Sequence, residues 1–235
     1  GVTPINSTFL TTTTTIEELN VTSNSNVTMN SNYTINNVNV TSSNLSLSNL
    51  TITNLYVAGS DLYVDNGLNV NLIEIQSGTS SLSSVENKAF NATNITIKAT
   101  LQSRVSTVAA NYTLNITAVN LTVEANAVIN VTGQGHRGGT NCGNGTGPGA
   151  GQGASGTTTI RGGGGGGHGA TGGNGVSLEG ILGAGGTAYG LVTVPTEPGS
   201  GGGAGDITSG GACQTEDGVA GGGALVLNVT GTLSV

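Results

Sequence analysis

The chain has 235 residues, of which only 7% are charged, and its formal net charge is −7 with five Lys and Arg residues. This balance argues against nucleic acid or an anionic membrane surface as a partner, because both attract clustered positive charge. No apolar run is long enough to span a bilayer, so we expect no membrane insertion. The chain begins at Gly1 without a signal peptide, and we expect a mature form or part of a longer chain.

The N-terminal segment is polar and shows no repeat. Residues 1–15 end in the run Thr11–Thr15 and are expected to form an extended N-terminal arm. Helix formers cluster only at Ile16–Leu19, which is too short to make a stable helix.

From residue 19 an apolar-x-apolar dyad recurs, in which two apolar side chains share one face of a short strand and the residue between them points outward. Every third dyad closes a longer period, because Leu19 to Val38 is 19 residues and Val38 to Leu55 is 17. Stacked turns of three dyads bury a continuous core that one short strand cannot bury alone. The dyads are Leu19/Val21, Val27/Met29, Tyr33/Ile35, Val38/Val40, Leu45/Leu47, Leu50/Ile52, Leu55/Val57, Leu62/Val64, Leu68/Val70 and Ile73/Ile75.

The fold class predicted from this period is all-β, a three-sided parallel β-helix (a solenoid) with a coil of 17–18 residues. The general preference for right-handed connections favours a right-handed coil. A β-sandwich fits less well, because its strands are longer and its hairpin turns favour Asn-Gly or Asp-Gly. Among these dyads Asn66-Gly67 is the only such pair.

The period is less regular in the later part of the solenoid. Residues 76–90 are Ser-rich and are expected to form a loop or an irregular coil. The gap between Ile97 and Leu114 suits one further coil that passes through Val105 and Val108. The dyads that return are Ile95/Ile97, Leu114/Ile116, Leu121/Val123 and Ile129/Val131, so the predicted Asn/Thr-rich solenoid covers residues 16–132.

Asn-x-Ser/Thr sequons are more than twice as frequent as this composition gives by chance. None has Pro in the middle position, so each is an N-glycosylation acceptor in a secretory pathway. Early sequons follow the dyads: Asn20 and Asn39 lie inside first-column dyads, and Asn26 and Asn44 immediately precede second-column dyads. The acceptors are Asn6, Asn20, Asn26, Asn32, Asn39, Asn44, Asn49, Asn91, Asn94, Asn111, Asn115, Asn120, Asn130, Asn144 and Asn228.

The alternative for these asparagines is a structural ladder without glycans, in which side-chain amides of neighbouring coils hydrogen-bond to each other. We expect most sequons between Asn20 and Asn49 to be occupied, so that glycans sheathe the rod and block lateral association of sheets. The ladder role is expected instead for asparagines outside sequons, namely Asn24, Asn30, Asn36, Asn37, Asn54, Asn66, Asn69 and Asn71.

Composition changes sharply at Gly133, and residues 133–235 hold most of the 42 glycines. A flexible linker is the simplest interpretation, but apolar segments interrupt the glycines and residues 224–235 resume strand alternation. We therefore predict glycine-rich excursions that return to the solenoid. Cys142 and Cys213 both lie here, and an internal disulfide is the simplest pairing in an oxidising compartment; two free thiols or links to other subunits are the alternatives.

Glycine motifs follow one another in this half: Gly162–Gly175, which contains His-Gly-x-x-Gly-Gly-x-Gly, then Tyr189-Gly190, then Gly199–Gly203, then a Gly-Gly-Gly run before the last strand. This order resembles the glycine-rich module of large extracellular and cell-surface proteins of plants, oomycetes and flagellate protists, some of them related to flagellar-hair (mastigoneme) proteins. The resemblance implies a structural, extracellular role and no catalytic residues. It implies that His168 and Tyr189 pack and hydrogen-bond among the glycines.

Enzymatic chemistry is not indicated by the residues. Asp61 and Asp65 flank a dyad strand and would be the carboxylate pair of a hydrolase or lyase, but no Lys or Arg is near them in sequence. The two histidines, His136 and His168, and the two cysteines lack the spacing of a zinc site. We expect no enzyme, no catalytic, cofactor-binding or metal-binding residue, and no cofactor beyond covalent N-linked glycans.

The sequence thus predicts a secreted, cell-surface structural subunit of a heavily N-glycosylated fibre, sheath or surface appendage. Its partners are expected to be glycans and copies of itself, joined head to tail through the solenoid ends. The alternative is a monomeric adhesin or a carbohydrate-binding or carbohydrate-active protein that uses a solenoid face. Aromatic platforms would help such binding, but the chain has no Trp, and only Tyr56 and Tyr63 approach one another in sequence.

Overall fold

The structure is a computed structural model, and it describes residues 15–29, 33–85, 88–154, 161–177, 180–181, 183–191, 193, 196–206 and 215–235. These residues form strands, turns and bends and no helix, so the all-β prediction is confirmed for them. The predicted arm lies outside them, except for Thr15, which begins the first strand.

The strands come in chain order and most of them are short. They are β1 (Thr15–Val21), β2 (Asn26–Met29), β3 (Thr34–Thr41), β4 (Asn44–Ala58), β5 (Asp61–Ser77), β6 (Thr79–Val85), β7 (Phe90–Ile97), β8 (Thr100–Gln102), β9 (Tyr112–Val123), β10 (Val128–Asn130), β11 (Val176–Ser177), β12 (Gly180–Ile181), β13 (Gly205–Asp206), β14 (Thr215–Glu216), β15 (Ala224–Val229) and β16 (Leu233–Ser234).

The strands stack in parallel in two ladders, which is the arrangement of a solenoid. The long ladder contains β1, β3, the second half of β4, the second half of β5, β7 and β9, and the short ladder contains β2, the first parts of β4 and β5, β6, β8 and β10. One exception is a short antiparallel contact of β6 with β9 at Ser84 and Val85. Each turn of the chain therefore contributes one strand segment to each ladder.

The register of these ladders matches the predicted dyads. The pairs Leu19/Val38, Val27/Leu45, Val38/Leu55, Leu45/Leu62 and Leu50/Leu68 face each other across neighbouring coils. This register is favoured because a shift of one strand by one residue would turn its apolar side chains from the core to solvent.

The coil grows longer along the chain. Val38 pairs with Leu55, Leu55 with Ile73, Ile73 with Ile95 and Ile95 with Leu121, so successive coils span 17, 18, 22 and 26 residues. The predicted 17–18 residues hold only for the early coils. Later coils accommodate their extra residues in the turns, since the paired positions stay apolar.

The core is the stack of inward dyad side chains. Val38, Leu55, Ile73 and Leu121 are each fully buried, and Ile95 is 1% exposed. Burying such a side chain contributes about 1.5–3 kcal/mol, so the stacked dyads supply most of the stabilisation of the solenoid.

A column of serines shapes the corner where the chain passes from the long ladder to the short one. The hydroxyl of Ser60 donates to the carbonyl oxygen of Ala58 at 2.8 Å and accepts from the backbone N–H of Ser43 at 3.2 Å. Ser80 accepts from the N–H of Ser60 in the same way at 3.3 Å. Backbone groups that a tight corner would leave unpaired are thereby satisfied.

Two expectations for the later solenoid are wrong. Residues 76–90 contain the strand β6, so the loop alternative is wrong. Its Ser81 and Ser83 lie opposite Asp61 and Tyr63 of the previous coil, Ser84 lies opposite Val64, and all three serines are buried. The further coil does not bury Val108, which is 83% exposed; Leu101 on β8 is buried instead. Leu82 is the buried apolar residue that lies opposite Leu62, and Ser84 replaces the second apolar residue of the dyad, so apolar alternation gave no signal for β6.

The glycine-rich residues lie within the last coil. β10 ends at Asn130, and the chain rejoins the sheet at β15, which pairs in parallel with β9 through Leu225/Leu114 and Leu227/Ile116. β16 then pairs with β9 further along. Residues 131–223 are thus inserted between two strands of one solenoid.

The glycine-rich insertion is held together by backbone hydrogen bonds between extended segments. In the segment 162–167, two backbone amides three residues apart donate to one neighbouring segment. Two other amides, also three residues apart, donate to a second neighbouring segment. The bonds are Gly162 to Val176 and Gly165 to Gly173, and Gly164 to Gln152 and Gly167 to Gly149, at 2.7–3.1 Å. Three residues per turn is the period of the polyproline II helix, so we describe this region as a glycine bundle.

Glycine is required where segments of the glycine bundle approach each other. A Cβ added at Gly172 would lie 2.0 Å from the carbonyl oxygen of Gly165, and one added at Gly151 would lie 2.0 Å from that of Gly164. No other residue fits such contacts, as on the axis of collagen.

Candidate functional site

The sequon asparagines lie at the surface wherever the structure describes them. Asn6 and Asn32 fall outside the described residues, and none of the other thirteen is buried. Asn20, Asn26, Asn44 and Asn91 are exposed, and Asn39 is half-buried. None of the described acceptors is therefore enclosed in the core, and Asn39, Asn94, Asn115 and Asn120 are the half-buried ones.

Several of these asparagines also hydrogen-bond to one another across neighbouring coils, in the ladder expected for asparagines outside sequons. Nδ2 donates to Oδ1 in the pairs Asn39 to Asn20 (2.9 Å), Asn44 to Asn26 (2.7 Å) and Asn120 to Asn94 (2.9 Å). Asn54 outside the sequons does the same to Asn37 at 3.0 Å, and Asn36 donates to Glu17 at 2.7 Å. The sequon asparagines among them are therefore both glycosylation acceptors in sequence and members of a side-chain hydrogen-bond ladder in the structure.

The direction of these bonds distinguishes the members of each pair. Nδ2 of Asn39 uses both of its hydrogens, since it also donates to Oε1 of Glu18 at 3.1 Å. A glycan replaces one of these hydrogens and must break one bond. Asn20 only accepts in its ladder bond, so its Nδ2 is not committed there.

Of the expected disulfide partners, Cys142 is buried and its sulfur lies 3.9 Å from the carbonyl oxygen of Gly205. Gly205 belongs to β13, which pairs in antiparallel fashion with β14. Cys213 lies outside the described residues, so the Cys142–Cys213 disulfide stays a prediction.

Asp61 and Asp65, the candidate carboxylate pair, both belong to β5. Asp61 is exposed at the start of β5 and accepts a hydrogen bond from the hydroxyl of Ser81. The register of β4 against β5 shifts between Val64 and Asn66, so Asp65 falls at an irregularity, and its side chain is not described. Within the described residues no three His, Cys, Asp or Glu side chains lie close enough to hold a metal ion.

The aromatic contact on the solenoid surface joins Tyr63 to Tyr112 rather than to Tyr56. Their ring centroids are 6.5 Å apart and nearly perpendicular, and the guanidinium of Arg104 lies 5.6 Å from the centre of the Tyr112 ring. Tyr56 lies in the long ladder, where it pairs with Glu74, whereas Tyr63 is in the short one. The dyad period gave no signal for Tyr112 or Arg104, because lengthened coils bring them beside Tyr63.

Inside the glycine bundle, the rings of His168 and Tyr189 meet edge to face at 5.0 Å, and the Tyr189 hydroxyl donates to the carbonyl oxygen of Pro198. Burial raises the pKa of Tyr189. His136, for which the sequence predicted no role, is 2% exposed, and neither of its ring nitrogens has a hydrogen-bond partner. Burial lowers the pKa of His136.

Comparison with known proteins gives no relatives: no family model, no curated protein and no solved structure matches this chain. Across the described residues, the structure has no helix with the length and apolar character needed to cross a membrane.

Proposed function

We propose that this protein is a structural subunit of a heavily N-glycosylated extracellular fibre, sheath or surface appendage, in which copies join end to end through the solenoid. The observation that carries the proposal is the exposed apolar pattern of β15 and β16. On β15 and β16 the core-facing leucines Leu227 and Leu233 are 40% and 55% exposed. Their counterparts one coil earlier, Ile116 and Leu121, are fully buried.

The first coil offers a matching surface. Leu19 and Val27 on β1 and β2 are only half-buried, although they stack in register on the buried Val38 and Leu45 of the next coil. In the described part of the chain, β1 and β2 each pair with another strand along one edge only. An unpaired parallel edge with an apolar interior accepts another coil of the same pattern, and the first coil of a second copy has that pattern.

We further propose that each coil has three sides and a right-handed path. Pairing in the long ladder skips one residue per coil at a constant place, which fits a corner dividing that ladder into two faces. The skipped positions are Glu17, Asn36, Thr53, Asn71, Thr93 and Val119. With the short ladder as the third face, right-handedness follows the general preference for crossovers.

Glycans and a disulfide complete the proposal. Surface sequons on successive coils support a glycan sheath, which fits a chain with few surface charges. Cys213 lies two residues before β14, whose partner β13 is beside Cys142, and this proximity along the chain supports the disulfide. The resemblance of the glycine motifs to extracellular and flagellar-hair proteins points to the same compartment and role.

Charge placed on β15 and β16 tests the end-to-end junction. The double variant Leu227→Lys, Leu233→Lys puts two ammonium groups where the proposal places an apolar contact, and both positions tolerate Lys in the monomer because they are exposed. Sedimentation velocity and negative-stain electron microscopy should show filaments for the native protein and monomers for the variant.

The matched control is Val108→Lys, since Val108 is 83% exposed and belongs to no strand. It should polymerise like the native protein. Native protein that stays monomeric at every concentration, or a double variant that polymerises equally well, would refute the junction.

A further inference from the structure

Two open depressions on the face of the short ladder join into one groove. Both are lined by Asp61 and Arg104; one continues past Asn44 to Asn26, and the other continues to Arg137. Asn26, Asn44, Asp61, Ser81 and Gln102 occupy consecutive coils of the ladder. The groove therefore runs along the solenoid axis, for about 19 Å at a coil spacing of about 4.8 Å.

The half of this groove between Asp61 and Arg137 concentrates positive charge in an acidic protein. It holds Arg104 and Arg137, two of the five Lys and Arg residues of the chain. Both side chains are exposed, and neither forms an ion pair with any described residue. Asp61 is the one carboxylate that lines this half. Arginine forks recognise carboxylate and sulfate groups through paired N–H donors.

The same half contains an aromatic surface and neutral hydrogen-bonding groups. Tyr112 is half-exposed, with Tyr63 against its ring and Arg104 over it. Gln102 and Gln134 add amides to the lining. An open groove of this kind differs from the enclosed apolar pockets that hold small ligands, and Val105 is the one aliphatic side chain in the lining of this half.

We propose that the groove lined by Asp61, Arg104, Tyr112 and Arg137 binds an acidic oligosaccharide. The arginines contact its acidic groups, Tyr112 packs against the apolar face of a sugar ring, and Asp61 and Gln102 accept or donate to hydroxyls. None of the residues lining this half is a sequon asparagine, and two sequons border it: Asn44, which pairs with Asp61, and Asn111, which precedes Tyr112. This site is independent of the end-to-end junction.

Calorimetric titration of the full chain with a tetramer of galacturonic acid and with a sulfated tetrasaccharide tests the proposal. Binding of either acidic probe, weakening with added salt, is expected, and the stronger of the two identifies carboxylate or sulfate as the recognised group. Neutral maltotetraose should not bind. The double variant Arg104→Gln, Arg137→Gln should lose affinity by about tenfold or more, and Tyr112→Leu should weaken binding as well.

The matched control is Lys98→Gln, which removes one positive charge next to Glu74 in the long ladder, away from the groove. It should bind the acidic probe like the native chain. Four outcomes would overturn the proposal: no binding of either acidic probe, equal binding of maltotetraose, unchanged affinity in the arginine variant, or equally tight binding of an oligo-aspartate peptide of the same charge.

Discussion

At the scale of single residues, His136 combines two backbone hydrogen bonds with a buried imidazole. Its backbone links two segments of the glycine bundle, because its N–H donates to Gly199 at 2.9 Å and its carbonyl oxygen accepts from Gly221 at 2.9 Å. Its imidazole is buried, and both ring nitrogens lack partners. A proton on this ring would place an unpaired charge inside the glycine bundle.

We therefore predict that acid destabilises the glycine bundle through His136. Burial lowers the pKa of His136 in the folded protein, so between this value and about 6.5 the unfolded chain binds the proton and the folded chain does not. Stability from this residue is complete above about pH 6.5, declines as the pH falls, and levels off below the folded pKa. Thermal unfolding from about pH 7.5 to about pH 5 should show this decline.

The variant His136→Gln removes the titrating group and should flatten the decline over that range. Thr171→Ala, at an exposed position of the same glycine bundle that does not titrate, serves as the control and should keep the native pH dependence. A decline of equal size in His136→Gln would place its origin elsewhere.

For Asn20 and Asn39 the sequence predicted the position of the side chains but not their hydrogen bonding. The dyad register predicted that both occupy the same outward column, and the structure pairs them directly across two coils. Sequence pattern does not tell which amide donates, because that depends on side-chain rotation and on Glu18 beside them. Their glycosylation stays a prediction.

At the scale of elements, the glycine bundle depends on contacts at single glycines. Gly172 and Gly173 are adjacent but differ in surroundings: a Cβ on Gly172 would meet the carbonyl oxygen of Gly165 at 2.0 Å, whereas one on Gly173 meets nothing within 4 Å. Neither has a positive φ, so the difference is one of space and not of backbone conformation.

We predict that Gly172→Ala destabilises the protein by about 1–3 kcal/mol, because neighbouring segments must separate to admit the methyl group. Gly173→Ala, the matched control, should change stability by less than about 0.5 kcal/mol. Denaturant unfolding and amide hydrogen exchange in residues 162–176 measure both. Equal stability of the two variants would mean that the glycine segments do not pack as described.

The solenoid strands were predictable from the sequence where apolar side chains stack on apolar side chains of the next coil. The pairing of Leu45 with Leu62 follows from the sequence, because each coil repeats the same local pattern. β6 was missed because its dyad is incomplete: Leu82 lies opposite Leu62, but Ser84 takes the place of Val64. The glycine bundle could be foreseen only as packed excursions, since its hydrogen bonds, such as Gly203 to Gly164, join distant residues that share no pattern.

At the scale of the whole molecule, a parallel solenoid carries a glycine bundle inserted in its last coil. The two are joined by a backbone bond from Ser106 to Gln134 at 3.1 Å and by a side-chain bond from Thr113 to Thr196 at 3.1 Å. Leu227 and Leu233 of the last coil are exposed, and Leu19 and Val27 of the first coil are half-buried. In the proposed end-to-end assembly these residues would become core, and one glycine bundle would belong to each subunit of the rod.

X-ray fibre diffraction from oriented native filaments tests this account most directly. End-to-end stacking places the solenoid strands across the filament axis, so we predict a strong meridional reflection at about 4.8 Å, the spacing of neighbouring strands. Filaments whose reflection at about 4.8 Å lies on the equator, or native protein that forms no filaments, would contradict the account.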